Sequence, residues 1–170
     1  MSAIATPDVL SRFLITTLTF EDLTSRDGEK LGVAINPYVV IGLTISDAVV
    51  KTNANVNSSS RGVALKSTRF PPEASVNRID LRFVKPQGGF GFFYCTSRAT
   101  SLRVKVFDSH ETVLEEDVFR DREGYAGVMR AKAEIGVVRI LACSESPDTA
   151  EVSRFYIDDL SFGRVLKAGY

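Results

Sequence analysis

Two pairs of adjacent carboxylates stand out as groups that could do chemistry. Glu21-Asp22 follows the apolar-rich run Leu18-Thr19-Phe20, and Asp158-Asp159 interrupts Phe155-Tyr156-Ile157 and Leu160-Ser161-Phe162. Like charges repel, and a buried carboxylate without a partner is costly. A hard cation relieves both problems, because calcium takes several carboxylate and carbonyl oxygens. If the first and last strands are neighbours, Glu21 or Asp22 would meet Asp158 or Asp159. The alternative is that one acid of each pair is solvated while the other caps a turn or pairs with Arg12 or Arg154. From the residues alone, both readings stand.

Other reactive types are sparse. His110 is the only imidazole and lies in a turn-like segment, Asp108-Ser109-His110-Glu111. No marked nucleophile accompanies it, so a Ser-His-Asp arrangement is not expected. Cys95 has no base near it in sequence, and a thiol is a nucleophile only as thiolate. Adjacent Asp158 and Asp159 would point to opposite faces of a strand, which does not suit a pair of hydrolytic acids across a cleft. No enzyme is expected. Gly88-Gly89-Phe90-Gly91 enters a strand rather than a helix, so it does not read as a phosphate loop. Tyrosine offers a stacking surface for a ligand, and the chain has no Trp. Tyr38, Tyr94, Tyr125 and Tyr156 are the candidates. Tyr125 falls in Glu123-Gly124-Tyr125-Ala126-Gly127, read as an exposed loop where binding residues concentrate. Arg122, Glu123 and Tyr125, with Tyr38, form the expected ligand-binding set. The competing reading packs Tyr125 over a sheet edge with its hydroxyl in water.

The elements that must position these groups follow from period-two alternation. Arg78 to Phe83 and Ser101 to Val106 alternate polar and apolar as half-buried strands do. Phe90 to Cys95 and Val137 to Cys143 are nearly all apolar and suit central strands. Phe13 to Phe20 opens the set, Val39 to Ile45 and Gly62 to Lys66 add to it, and Phe155 to Phe162 closes it. Asp108 to Glu111 reads as a hairpin turn, and Glu111 to Phe119 as its return strand. Asp27-Gly28, Pro71-Pro72, Gly88-Gly89 and Ser146-Pro147-Asp148 mark other breaks. Thr52 to Arg61 and Arg120 to Ala126 read as long loops. About eight strands with even spacing predict an all-β chain, a two-sheet antiparallel β-sandwich or barrel.

Composition bounds the function. The chain has 170 residues, with 21 Lys+Arg against 21 Asp+Glu. A balanced charge does not suit a protein built to neutralise nucleic-acid phosphates. Arg98, Arg103, Lys105 and Arg139 could line one sheet, but acids are interspersed. No apolar run is long enough for a membrane helix. The N-terminus lacks a basic region followed by an apolar run, so no secretory signal is expected there. One His and two Cys cannot supply a four-ligand zinc site of those residues. Cys95 and Cys143 either pair or sit reduced in strands.

The order of motifs resembles the jelly-roll sandwich of galactose-binding-like and carbohydrate-binding-module proteins. It looks most like small bacterial extracellular domains that precede a PEP-CTERM sorting signal. The matching residues are Thr19-Phe20-Glu21-Asp22, Tyr38 with Gly42-Leu43-Thr44-Ile45, Gly91-Phe92-Phe93-Tyr94, Val104-Lys105-Val106-Phe107-Asp108, and Phe155-Tyr156-Ile157-Asp158-Asp159-Leu160-Ser161-Phe162. The resemblance implies jelly-roll topology and a structural calcium on Glu21 and Asp159, with Asp22 and Asp158 as alternates. It also implies an extracellular or cell-surface setting, which the missing signal and sorting segments do not match. The expectation is an N-terminal extension over residues 1–11, a sandwich over 12–163 and a tail over 164–170. Its function would be a non-enzymatic binding module, most plausibly for carbohydrate, with glycan or another protein surface as partner. The alternative is a coat, sheath or matrix subunit that self-associates through its sandwich surface.

Overall fold

The alternation predicted from sequence builds two facing antiparallel sheets, and the core lies between them. The computed structural model describes residues 3–4, 15–32, 34–54, 56, 62–69, 77–97, 100–144 and 154–164. The strands are β1 (Ala3–Ile4), β2 (Ile15–Leu18), β3 (Lys30–Leu31), β4 (Leu43–Ser46), β5 (Ala48–Thr52), β6 (Val63–Arg69), β7 (Asn77–Gln87), β8 (Gly89–Thr96), β9 (Thr100–Phe107), β10 (Val113–Phe119), β11 (Glu123–Met129), β12 (Ile135–Ser144) and β13 (Phe155–Gly163). The front sheet runs β1-β11-β8-β13. From there the N-terminal part of β13 pairs with β6 and its C-terminal part with β2. β5 and β3 follow β6 at the far side. The back sheet runs β10-β9-β12-β7, with β4 on β7. Consecutive strands cross repeatedly between the sheets, as in a jelly roll.

β6 belongs to both sheets. Its residues up to Ser67 pair with β5, and Leu65 and Lys66 with β13; Thr68 and Arg69 then join β7. The β4–β5 connection turns the same corner at Asp47, which is left-handed at φ 62. The Asp47 carbonyl accepts both the Thr68 amide N–H at 3.1 Å and its hydroxyl at 2.7 Å. The core receives Phe90, Phe92 and Tyr94 from β8, Leu102, Val104 and Val106 from β9, Val138, Ile140 and Ala142 from β12, and Ile157, Leu160 and Phe162 from β13.

Departures from the sequence reading have local causes. The first strand stops at Leu18 rather than continuing through Glu21 and Asp22. Phe20 takes a left-handed backbone (φ 60) at the head of a 3-10 helix over Glu21–Arg26. That conformation costs a non-glycine residue roughly 1–2 kcal/mol, and it lets the Phe20 ring bury completely with Tyr38, centroids 6.0 Å apart. Val39–Ile41 is a 3-10 turn, not the start of a strand. Glu123 onward is strand β11, not loop. Its glycines mislead: a Cβ on Gly124 would sit 3.3 Å from the Tyr94 hydroxyl, so the residue is small to let a core tyrosine fit beneath it. The Asp108–Glu111 turn is as read. The Asp108 carboxylate accepts the N–H groups of Thr112 at 2.9 Å and His110 at 2.8 Å, which, Thr112 foremost, hold its pKa below the ordinary value. The breaks at Pro71-Pro72 and Ser146-Asp148, together with Arg12 and Arg98, lie outside the described residues.

Candidate functional site

The strand expected over Phe13 to Phe20, here β2, meets the last strand as expected. β2 pairs with β13, Leu18 opposite Leu160. Asp158 and Asp159 sit where β13 changes partner from β6 to β2, and its register on β8 shifts between Asp158 and Ser161. Such a bulge inserts an extra residue and aims side chains away from strict alternation. Asp159 is left-handed at φ 46, a conformation that Asp tolerates better than most residues. Both acids are therefore buried, at 2% and 5% exposure, instead of facing opposite ways with one in solvent. The Asp158 carboxylate accepts the Asp159 amide N–H at 2.7 Å, a donor that the bulge withdraws from the ladder.

Glu21 and Asp22 lie on the 3-10 helix just beyond β2. Glu21 accepts the Val63 amide N–H at 3.4 Å, and Asp22 accepts the Tyr38 hydroxyl at 2.9 Å. Burial, and then the Asp22 carboxylate, push the Tyr38 phenol far above its ordinary pKa. Tyr38 is 5% exposed and part of the core. Among the described residues, no group of three or more His, Cys, Asp or Glu side chains is placed to hold a metal ion.

Arg122, Glu123 and Tyr125 come together on the front sheet. The Arg122 carbonyl accepts the Thr96 amide at 2.7 Å and the Thr96 hydroxyl at 3.2 Å, which pins the entry to β11 against β8. Residues directly opposite in a ladder share a face. One outward row therefore runs Glu123, Cys95, Tyr156, Lys66, and the next sets Tyr125 beside Phe93. Tyr125 and Phe93 meet edge to face with centroids 4.9 Å apart. Burial and then the Asp159 charge raise the Tyr125 phenol above its ordinary pKa, so it stays a hydrogen-bond donor at neutral pH.

Beside these rows is a cavity of about 260 Å³ lined by Lys51, Asn53, Ala54, Cys95 and Tyr156. Asn53 is left-handed at φ 54 and forms the turn leaving β5, where the Ala54 amide donates to the Gly62 carbonyl at 2.9 Å. Burial pushes the Cys95 thiol up, and Glu123 adds to the effect, so Cys95 is a neutral wall rather than a nucleophile. Sequence reasoning missed this cavity because Lys51, Asn53, Cys95 and Tyr156 reach it from three separate stretches of chain. From sequence, Tyr156 stands among the candidate tyrosines but in a strand, as core or sheet surface, and outside the expected ligand set. Cys143 is half-buried on β12 of the back sheet, and both cysteines are free. His110 is exposed in its turn.

A second, larger groove of about 670 Å³ lies at one end of the sandwich, lined by Thr16, Val39, Val40, Ile41, Val84 and Phe162 among others. Val40 and Val84 are 89% and 73% exposed there. Among the described residues, no helix is long and apolar enough to cross a membrane.

No protein-family model matches the sequence, and no curated protein matches it. Among solved structures, the K2 cleaved adhesin domain of Lys-gingipain superposes with a TM-score of 0.50 at 12% identity, covering 87% of this chain and 98% of that one. TmCBM61 in complex with beta-1,4-galactotriose gives 0.47 at 15% identity, over 87% and 97%. A variant of the family 29 carbohydrate binding module gives 0.47 at 10% identity, over 91% and 99%. At such identities the likeness concerns fold alone.

Proposed function

We propose that this chain is a non-enzymatic carbohydrate-binding module whose site is the outer face of the front sheet. One observation carries the reading. A cavity with a half-exposed tyrosine, Tyr156, and hydrogen-bonding side chains, Lys51 and Asn53, opens on a sheet face that also bears the Phe93–Tyr125 pair. A sugar ring presents an apolar C–H face and a rim of hydroxyls. It needs a flat aromatic surface and polar groups fixed on rigid strands. Arg122, Glu123 and Tyr125 extend the polar rim along the next strand. Titration of neutral and acidic tetrasaccharides against the chain tests the reading. Binding that falls about tenfold in Tyr156→Ala, roughly 1.4 kcal/mol, supports it. A folded chain that takes up none of the sugars overturns it.

The described acids do not by themselves assemble a cation cage, so no step of recognition is routed through a metal. A calcium tie through Glu21, Asp22, Asp158 and Asp159 is tested separately by thermal melts in EDTA and in calcium. A calcium-selective rise in Tm that is lost in Asp159→Ala supports it, and superimposable melts remove it.

The exposed Val39, Val40, Ile41 and Val84 favour a second reading, a subunit that associates with copies of itself. Sedimentation velocity that rises with concentration, and stops rising in Val40→Lys, supports it. A concentration-independent monomer that binds sugar leaves the first reading alone.

A further inference from the structure

The charges around the front-sheet cavity are mostly positive on its β5–β6 side. Lys51 lines the cavity, and Lys66 is the register partner of the cavity tyrosine, Tyr156. Lys66 also pairs with Val49, two residues before Lys51 on β5, so the two lysines share the outward face one row apart. Arg154 leads into β13 and is held there by two bonds to Ser97: its amide donates to the Ser97 hydroxyl at 2.9 Å, and its carbonyl accepts the Ser97 amide at 2.8 Å. Among the described residues, no ion pair involves Lys51, Lys66 or Arg154, whereas Arg78, Arg103, Lys105 and Arg139 on the back sheet all have carboxylate partners. Burial first, and then the charges of Arg154 and Lys51, lower the Lys66 pKa, and no carboxylate counts among its causes. The nearest acid in the row, Glu123, lies on the far side of Cys95. Asp27, whose carboxylate accepts the Thr52 amide N–H at 2.8 Å, is the acid that feels Lys51, so one acid stands against three cations and the cavity side is net positive.

We propose that the cavity takes an anionic sugar residue, its carboxylate or sulfate held by Lys51 and Lys66 with Arg154 behind them, while its ring lies against Tyr156. The assignment rests on the glycan reading above and narrows it to acidic polysaccharides. Recognition is charge-assisted and partly desolvated, so it responds to ionic strength.

The test is calorimetric titration of the full chain with four probes: tetragalacturonate, a heparin-derived sulfated tetrasaccharide, a neutral galactotetraose and inorganic sulfate. At 50 mM NaCl, at least one acidic tetrasaccharide should bind about tenfold or more tighter than the neutral one, and the gap should narrow at 300 mM. The better of the two acidic probes identifies carboxylate or sulfate as the group held. In Lys51→Gln/Lys66→Gln the acidic-to-neutral affinity ratio should collapse towards one. Lys105→Gln, a neutralised lysine on the other sheet, should leave that ratio where it was. If the neutral sugar binds as tightly as both acidic ones, the anionic assignment fails and the glycan reading stands. Should no sugar bind, both fail together. If sulfate alone matches the acidic sugars, the cavity is an adventitious ion site only, and the assignment is again overturned.

Discussion

The two outer faces of the sandwich carry similar side chains to opposite effect. On the back sheet, Arg139 reaches Asp80 at 3.1 Å and lies over the Phe107 ring at 5.3 Å, Arg78 bridges Asp80 and Asp47 at 3.3 and 3.5 Å, and Arg103 and Lys105 share Glu116 at 3.4 Å each. On that face these four cations are all answered by carboxylates. On the front sheet, Lys51, Lys66 and Arg154 gather at a cavity whose walls are Asn53, Ala54, Cys95 and Tyr156. The difference teaches that a neutral total charge hides how charge is distributed. A face whose cations are paired stabilises the fold, and one with cations to spare is open to a ligand.

The comparison can be broken from the back first. A Cβ at Gly136 would meet the Ser109 backbone nitrogen at 2.6 Å, where the β9–β10 turn crosses β12. Gly136→Ala should cost about 3 kcal/mol, since backbone must move, and the loss should appear as a lower urea midpoint. Tetrasaccharide affinity of the folded fraction should not change. Asp80→Ala comes next. It removes the shared partner of Arg78 and Arg139 and should cost about 2 kcal/mol, again read in the urea midpoint with sugar binding intact. A front-face consequence of similar size would show that the two faces are not independent.

The lysines sharpen the contrast with smaller effects of opposite sign. Lys66 is held below its ordinary pKa of 10.5, so in this range the unfolded chain binds the proton more readily than the folded one. Stability from this group therefore rises as pH climbs towards 10.5. Lys66→Gln should raise Tm slightly at pH 7, and its advantage over the wild type should shrink by pH 10. Lys105 stands in a partly exposed pair, and Lys105→Gln should lower stability by no more than about 0.5 kcal/mol. Thermal melts at both pH values check the two variants together.

How much of this was legible follows the same division. The alternation in Arg78–Phe83 and Ser101–Val106 announced strands because each buries one face only. The pairing of first with last strand was legible in their shared apolar strength, and the carboxylate pairs marked the bulge at Asp158-Asp159 as unusual ground. What sequence could not show depends on three-dimensional exceptions. Phe20 leaves the strand because its ring finds the core by a left-handed turn. Gly124 resembles a loop residue because the need it answers, space for Tyr94, lies on another strand. Tyr125 was singled out for the wrong setting: it stands in a strand beside Phe93, not in a loop. The lysines of the cavity are ordinary surface residues until β5, β6 and β13 are laid side by side.

One feature of the strand order sets how the molecule can breathe. With β6 stitched into both sheets and Thr68 tied back to Asp47, the sandwich is bound along one side like a book. Its leaves can part only at the other margin, where β11 and β10 run. Lys51 and Lys66 sit near the binding, while Glu123 and Tyr125 ride on the opening leaf. A ligand spanning both would lie across that single leaf from its bound side to its free margin and stiffen it. Amide hydrogens of β11 should then slow markedly in exchange when sugar is present, while those of β6, already locked, should hardly notice it.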